Sequence, residues 1–154
     1  MTEPDTAAHD QKARRGAMAL LAGAEATRLA ALWAGWTDKP GYRLVRGPET
    51  GLVMVRGRTG GGDPFNLGEA TVTRATVRLD RGEIGHAYCL GRDGDKAVQA
   101  ALFDALRQRD RDAVDGKVIA PLRVEREAAD RRRRDETAAT KVDFFTMVRT
   151  RSPG

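Results

Sequence analysis

The chain has 154 residues, 40% apolar, 32% charged and only 5% aromatic, enough for one domain around a single core built mainly from Leu, Val and Ala. Lys and Arg outnumber Asp and Glu by 27 to 22; that excess favours anionic partners, and it equally describes a surface that only keeps a protein soluble. The single cysteine, Cys89, excludes an intrachain disulfide and a multi-cysteine zinc site, and it fits a reducing cytoplasm.

Residues 1–10 read as a loose polar tail without the apolar core of a signal peptide. No apolar run approaches the ~20 residues that span a bilayer. The spacing of Ala17, Leu20, Leu21 and Ala24, and then of Leu29, Leu32, Trp33 and Trp36, predicts two short helices from Lys12 to Trp36 with a break near Gly23. Pro40 and Gly41 end this segment.

Strands follow. Tyr42 to Arg46 alternates, Gly47 to Gly51 has turn composition, and Leu52 to Arg58 is β-rich and ends basic. Thr59 to Pro64, with three consecutive glycines, is a loop. Thr71 to Leu79 alternates strictly: Thr73, Ala75, Val77 and Leu79 point one way, while Arg74, Thr76 and Arg78 point the other. Asp80-Arg81-Gly82 is a tight turn, and Glu83 to Leu90 returns as a hairpin partner.

Asp93 suits the N-cap of a helix whose apolar stripe is Val98, Ala101, Leu102, Ala105 and Leu106. Pro121 suits the first turn of a last helix that runs to about Ala139 and is polar nearly all round. The tail from Val142 to Val148 is apolar, with Phe144 and Phe145 adjacent. Such a tail either folds back onto the sheet or reaches a partner chain. The order of elements implies an α+β fold: a mainly antiparallel sheet of about four strands, with N-terminal helices and two C-terminal helices. The expected organisation is a flexible tail over 1–10, one domain over 11–148 that includes the long helix and apolar tail, and a flexible end over 149–154.

Much chemistry is excluded. The only serine, Ser152, lies near the terminus, which leaves no place for a serine hydrolase. Of the two histidines, His9 falls in the loose start, so a multi-histidine metal site is not encoded. His86 and Cys89 sit three positions apart on a strand and face opposite ways, so they form no thiolate–imidazole pair. His86 reads as a packed residue with a satisfied hydrogen bond beside Ile84, Tyr88 and Leu90; Cys89 reads as a small core residue with Gly85 and Ala87. Neither a P-loop nor a GxGxxG fingerprint occurs.

One constellation remains for an anionic substrate: Arg56, Arg58, the glycine loop, Asn66, Glu69 and Arg74. Arginine forks suit phosphate or phosphonate oxygens, and glycines let the backbone come close. A flexible connection flanked by solvated charges would read the same way. The run Arg131 to Arg134 is diluted by Glu125, Glu127, Asp130, Asp135 and Glu136, which describes an ion-paired helix surface better than a nucleic-acid stripe.

Four blocks carry a family resemblance. They are Pro48-Glu49-Thr50-Gly51-Leu52-Val53 running on to Arg56 and Arg58; Pro64-Phe65-Asn66-Leu67-Gly68-Glu69 with Thr71-Val72-Thr73-Arg74 and Val77-Arg78-Leu79; Gly91-Arg92-Asp93 with Leu102-Phe103-Asp104-Ala105-Leu106; and Lys141-Val142-Asp143-Phe144-Phe145-Thr146-Met147-Val148-Arg149. In this order and spacing they resemble the PhnG family, the G subunit of bacterial carbon–phosphorus lyase.

The resemblance implies a non-autonomous enzyme subunit in a cytoplasmic core complex with the H, I and J subunits, most directly the I subunit. The associated ATP-binding-cassette-type subunits are further candidate partners. With these partners the family takes part in transferring methylphosphonate to the ribose C1 of ATP with release of adenine, in organic phosphonate catabolism. The nucleosidase chemistry is associated with the I subunit; the later radical cleavage, with its iron–sulfur cluster and S-adenosylmethionine, is associated with the J subunit. No cofactor bound by this chain alone is implied, ATP being a substrate of the complex, and no catalytic residue carries over. The resemblance favours a buried subunit contact for Phe144 and Phe145, and neither a membrane nor a nucleic acid as partner. Two other readings stand beside it: a stand-alone basic nucleic-acid-binding module, and an independent transferase using Arg56, Arg58 and His86.

Overall fold

The computed structural model describes residues 3–139, with side chains from residue 8 onward. Helices α1 (Glu3–Gly23) and α2 (Ala26–Ala34) come first. Strands β1 (Tyr42–Gly57), β2 (Phe65–Leu79) and β3 (Ile84–Leu90) follow, then α3 (Gly94–Arg109), the short α4 (Arg111–Val114), a π-helical turn (Asp115–Ile119) and α5 (Ala120–Ala139). The α+β class and the break near Gly23 agree with the sequence reading. One difference lies at the start, where α1 already includes Glu3 to Asp10. Pro4 occupies its first turn, where a missing N–H is harmless, and Asp10 is held by Arg111 at 2.9 Å.

The sheet has three antiparallel strands in the order β1-β2-β3, not about four. The segments Tyr42 to Arg46 and Leu52 to Arg58 are one strand. Both halves pair with β2, from Tyr42 opposite Leu79 to Gly57 opposite Phe65. Gly47 and Pro48 do not reverse the chain; they form a bulge between the pairs Arg46–Thr76 and Glu49–Arg74. On an edge strand at a bulge, proline's missing N–H breaks no ladder bond.

The alternation predicted for β2 is present. Thr73, Ala75, Val77 and Leu79 are buried with Gly85, Ala87 and Cys89 of β3, and α3 packs across this inner face. α3 is buried over more than the expected stripe: Ala97, Ala100, Phe103 and Asp104 are enclosed as well. Its small residues let it come very close to β3. A Cβ on Gly85 would stand 1.9 Å from the carbonyl oxygen of Ala101. Phe103 is fully buried between Trp33 and Trp36, which meet it edge-on at 5.6 and 5.7 Å, an arrangement that suits the ring quadrupoles. Burial of one such side chain is worth roughly 1.5–3 kcal/mol.

The outer edge of β3 is capped by side chains at its Ile84 end. Arg14 of α1 and Gln108 of α3 both donate to the carbonyl of Ile84, while the N–H of His86 donates to Asp104. Groups satisfied in this way offer no template to another strand at the Ile84 end of that edge.

Asp93 caps α3 by accepting from the N–H of Lys96 at 2.8 Å, as its position predicted. α4, the π turn and α5 run on without a loop, and the π turn ends just before Pro121. A proline cannot join an unbroken α ladder, and the wider turn absorbs the mismatch. In α5 only Leu122 is buried, and residues 131–139 are all exposed, in keeping with the polar pattern.

Candidate functional site

The helices that build the core leave the other face of the sheet open. Strand alternation and register place three rows of side chains there: Arg43, Arg78 and Ile84; Arg46, Thr76 and His86; Glu49, Arg74 and Tyr88. All of them are exposed except the half-buried Thr76. Four arginines therefore share this face with one carboxylate. Glu49 takes two of them, Arg74 at 2.8 Å and Arg46 at 3.4 Å. The surface remains cationic.

The sequence reading made His86 a packed residue with a satisfied hydrogen bond; it is instead exposed on this open face, with its Nδ1 3.1 Å from the hydroxyl of Thr76. Cys89 faces inward as expected, and burial pushes its thiol pKa up, so it is kept as the unreactive thiol. Thr73 is buried beside it. Its hydroxyl donates to the carbonyl of Gly91 at 2.7 Å and lies 2.9 Å from that of Thr50, which ties β1 and β2 to the residue that follows β3.

Two hollows open on this region. One, of about 200 Å³, is lined by Glu49, Thr50, Leu52, Val53, Arg74 and Tyr88. The other, of about 410 Å³, is lined by Gly41, Tyr42, Arg43, Arg78, Leu79 and Asp80. Next to the second, Arg109 binds Asp80 at 2.6 Å and Glu83 at 2.8 Å. Its guanidinium draws the Glu83 pKa down to about 2 and lowers that of Asp80 as well.

The expected substrate constellation is split in space. Arg56 and Asn66 are opposite one another near the far end of the β1–β2 ribbon, and Glu69 stands opposite Met54. Arg58 lies beyond the end of β1 in the glycine connection. All four are exposed. Arg74 is eight residues from Asn66 along β2, roughly 25 Å at the rise of a strand, and is engaged by Glu49. The structure thus groups Arg74 with Arg43, Arg46 and Arg78, which the sequence reading had not selected. The outward pointing of Arg74 and Arg78 was legible, but their neighbours on β1 depend on the bulge. Phe144 and Phe145 lie outside the described residues.

β3 pairs only with Val72 to Arg78, so β1 and β2 continue past it as a two-stranded ribbon. Along this ribbon Leu52, Met54, Phe65 and Leu67 are exposed, Leu52 and Leu67 at 61% and 62%. Among the described residues no group of three or more His, Cys, Asp or Glu is placed to hold a metal ion, and no helix is long and apolar enough to cross a membrane.

A family model described as phosphonate metabolism protein PhnG matches residues 12–150. The chain belongs to the PhnG family. The match spans all three strands and every helix after the first turns of α1, and it bears out the resemblance carried by the four sequence blocks. The chain is also 56% identical over 142 residues, 88% of each chain, to a protein of Rhizobium meliloti (strain 1021) named alpha-D-ribose 1-methylphosphonate 5-triphosphate synthase subunit PhnG.

Proposed function

We propose that this chain is a non-autonomous subunit of an α-D-ribose 1-methylphosphonate 5-triphosphate synthase, within the carbon–phosphorus lyase core complex. The observation that carries this reading is the 56% identity to a subunit of that synthase along 88% of both chains. The reaction joins a phosphonate oxygen to the ribose C1 of ATP while the bond from that carbon to adenine breaks, and a proton goes to the departing base. The H, I and J subunits are the partners in this reading, the I subunit most directly, and the cytoplasm, where ATP is available, is its place.

The residues of the chain support a role in shaping a site rather than performing the bond exchange. The thiol of Cys89 is buried, and the imidazole of His86 has only the Thr76 hydroxyl as its partner among the described residues. What the chain does offer is a cationic sheet face, an exposed apolar ribbon and a polar helix, α5, that buries little on its own domain. Large apolar side chains left exposed suit a protein that completes its burial in a complex. The arginine run of α5 does not favour nucleic acid, because Asp130 ion-pairs with Arg126 and Arg133 and further acids follow it.

Co-expression with the H, I and J subunits of the same system tests the reading. Size exclusion should recover the chain in the complex. Adenine release from ATP and methylphosphonate should require the chain, and the chain alone should show none. Turnover by the chain alone, or full activity of the complex without it, would overturn the assignment.

A further inference from the structure

Arg43 and Arg78 stand directly opposite each other on β1 and β2, exposed on the helix-free face. Like charges at opposed positions repel and weaken a ladder. Nearby arginines avoid this through carboxylates: Arg46 and Arg74 share Glu49, and Arg109 takes Asp80 and Glu83. Among the described residues no carboxylate lies within ion-pairing distance of Arg43 or Arg78. The two flank the hollow of about 410 Å³. Its one acidic wall residue, Asp80, has its charge offset by Arg109 rather than by Arg43 or Arg78: its Oδ1 accepts from Arg109 at 2.6 Å and from the N–H of Arg81 at 2.9 Å.

We propose that Arg43 and Arg78 form an oxyanion site that holds a phosphate-type group, the end of a phosphate ester or a polyphosphate chain, between their two guanidinium forks. A fork matches two oxygens of such a group, and a tetrahedral dianion has oxygens and charge for both forks at once. A single protein carboxylate would satisfy one fork and leave the other unpaired. The opposed pair and the hollow make this site whether or not the chain works in the synthase.

The test uses the full chain, with inorganic phosphate and tripolyphosphate as probes, followed by calorimetry and phosphorus NMR at low and physiological salt. Saturable one-site binding is expected, tighter for tripolyphosphate if a chain is the natural ligand and equal for both probes if a terminal group suffices. Arg43→Gln with Arg78→Gln should weaken binding by about tenfold or more, as expected for loss of charge-assisted forks. Arg131→Gln with Arg132→Gln, which removes the same charge from α5, should leave affinity within about twofold, since only the general electrostatic attraction changes. Without anion at low salt, Arg78→Gln alone should raise the melting temperature by relieving the repulsion. Tripolyphosphate should raise the melting temperature of the native chain and not of the double variant. Equal losses in the two double variants, or no saturable binding, would overturn the site. So would a double variant that binds anion normally but no longer joins its protein partners, because the pair would then be a protein contact.

Discussion

The carboxylate of Asp104, buried in the middle of α3, accepts two hydrogen bonds from the guanidinium of Arg14 on α1, at 3.0 and 2.7 Å. It accepts a third from the N–H of His86 at 3.0 Å. One side chain thus joins two helices to the edge of the sheet. The contact also raises the Arg14 pKa, chiefly through the hydrogen bond to Asp104.

Removing either partner should cost more than the pair contributes. Arg14→Ala leaves a buried carboxylate without its counter-charge and should destabilise the chain by about 3 kcal/mol. Asp104→Ala should cost about 2 kcal/mol, because the partly exposed guanidinium can return to water while the His86 N–H loses its acceptor. Denaturant unfolding of both single variants and the double variant, read as a cycle, should give a coupling of about 1–2 kcal/mol. Additive losses would show that the two residues act separately.

The turn between β2 and β3 is sensitive to acid. The folded-state pKa of Glu83 is about 2 against an ordinary 4.5, held down first by its hydrogen bond to Arg109. A depressed carboxylate stabilises the fold fully above its unfolded pKa. That contribution declines as pH falls below about 4.5 and is gone once pH has passed through about 2. Asp80, lowered by the same guanidinium, acts in the same direction. Melting temperatures followed from neutral to acid pH should fall more gently across this window for Arg109→Gln than for the native chain. An unchanged slope would remove Arg109 from the account.

Gly85→Ala tests the closeness of α3 to β3. The new Cβ meets the Ala101 carbonyl oxygen and, at 2.7 Å, the Ala105 backbone nitrogen, and neither is a flexible side-chain end. Helix and strand have to separate, so a loss of about 3 kcal/mol is expected. A lower denaturant midpoint with an unchanged slope would show this. A variant as stable as the native chain would mean that α3 shifts freely.

Leu52→Asp with Leu67→Asp separates folding from assembly. Both leucines are exposed, so each change should alter stability by no more than about 0.5 kcal/mol. Recovery of the chain in the proposed complex with its partner subunits should nevertheless fall several-fold on size exclusion. Full recovery would exclude the ribbon from the contact.

The chain by itself determined most of its elements and the two faces of β2. Apolar spacing placed the two N-terminal helices and the break near Gly23, strict alternation oriented Thr73, Ala75, Val77 and Leu79 inward, and Asp93 marked the start of α3. These signals are local: a few neighbouring residues fix backbone preference and side-chain direction. Tertiary structure alone decided that Gly47 and Pro48 bulge rather than turn, because turn-forming residues also serve an edge bulge and only pairing with β2 distinguishes the two. That choice set the register of β1, and the register set which arginines meet. Arg43 faces Arg78, and Arg56 faces Asn66 far from Arg74, because bringing side chains together is a property of paired strands and not of spacing along one chain. The same dependence on packing hid Arg14 beneath Asp104, two residues ninety positions apart that share nothing until α1 folds against α3.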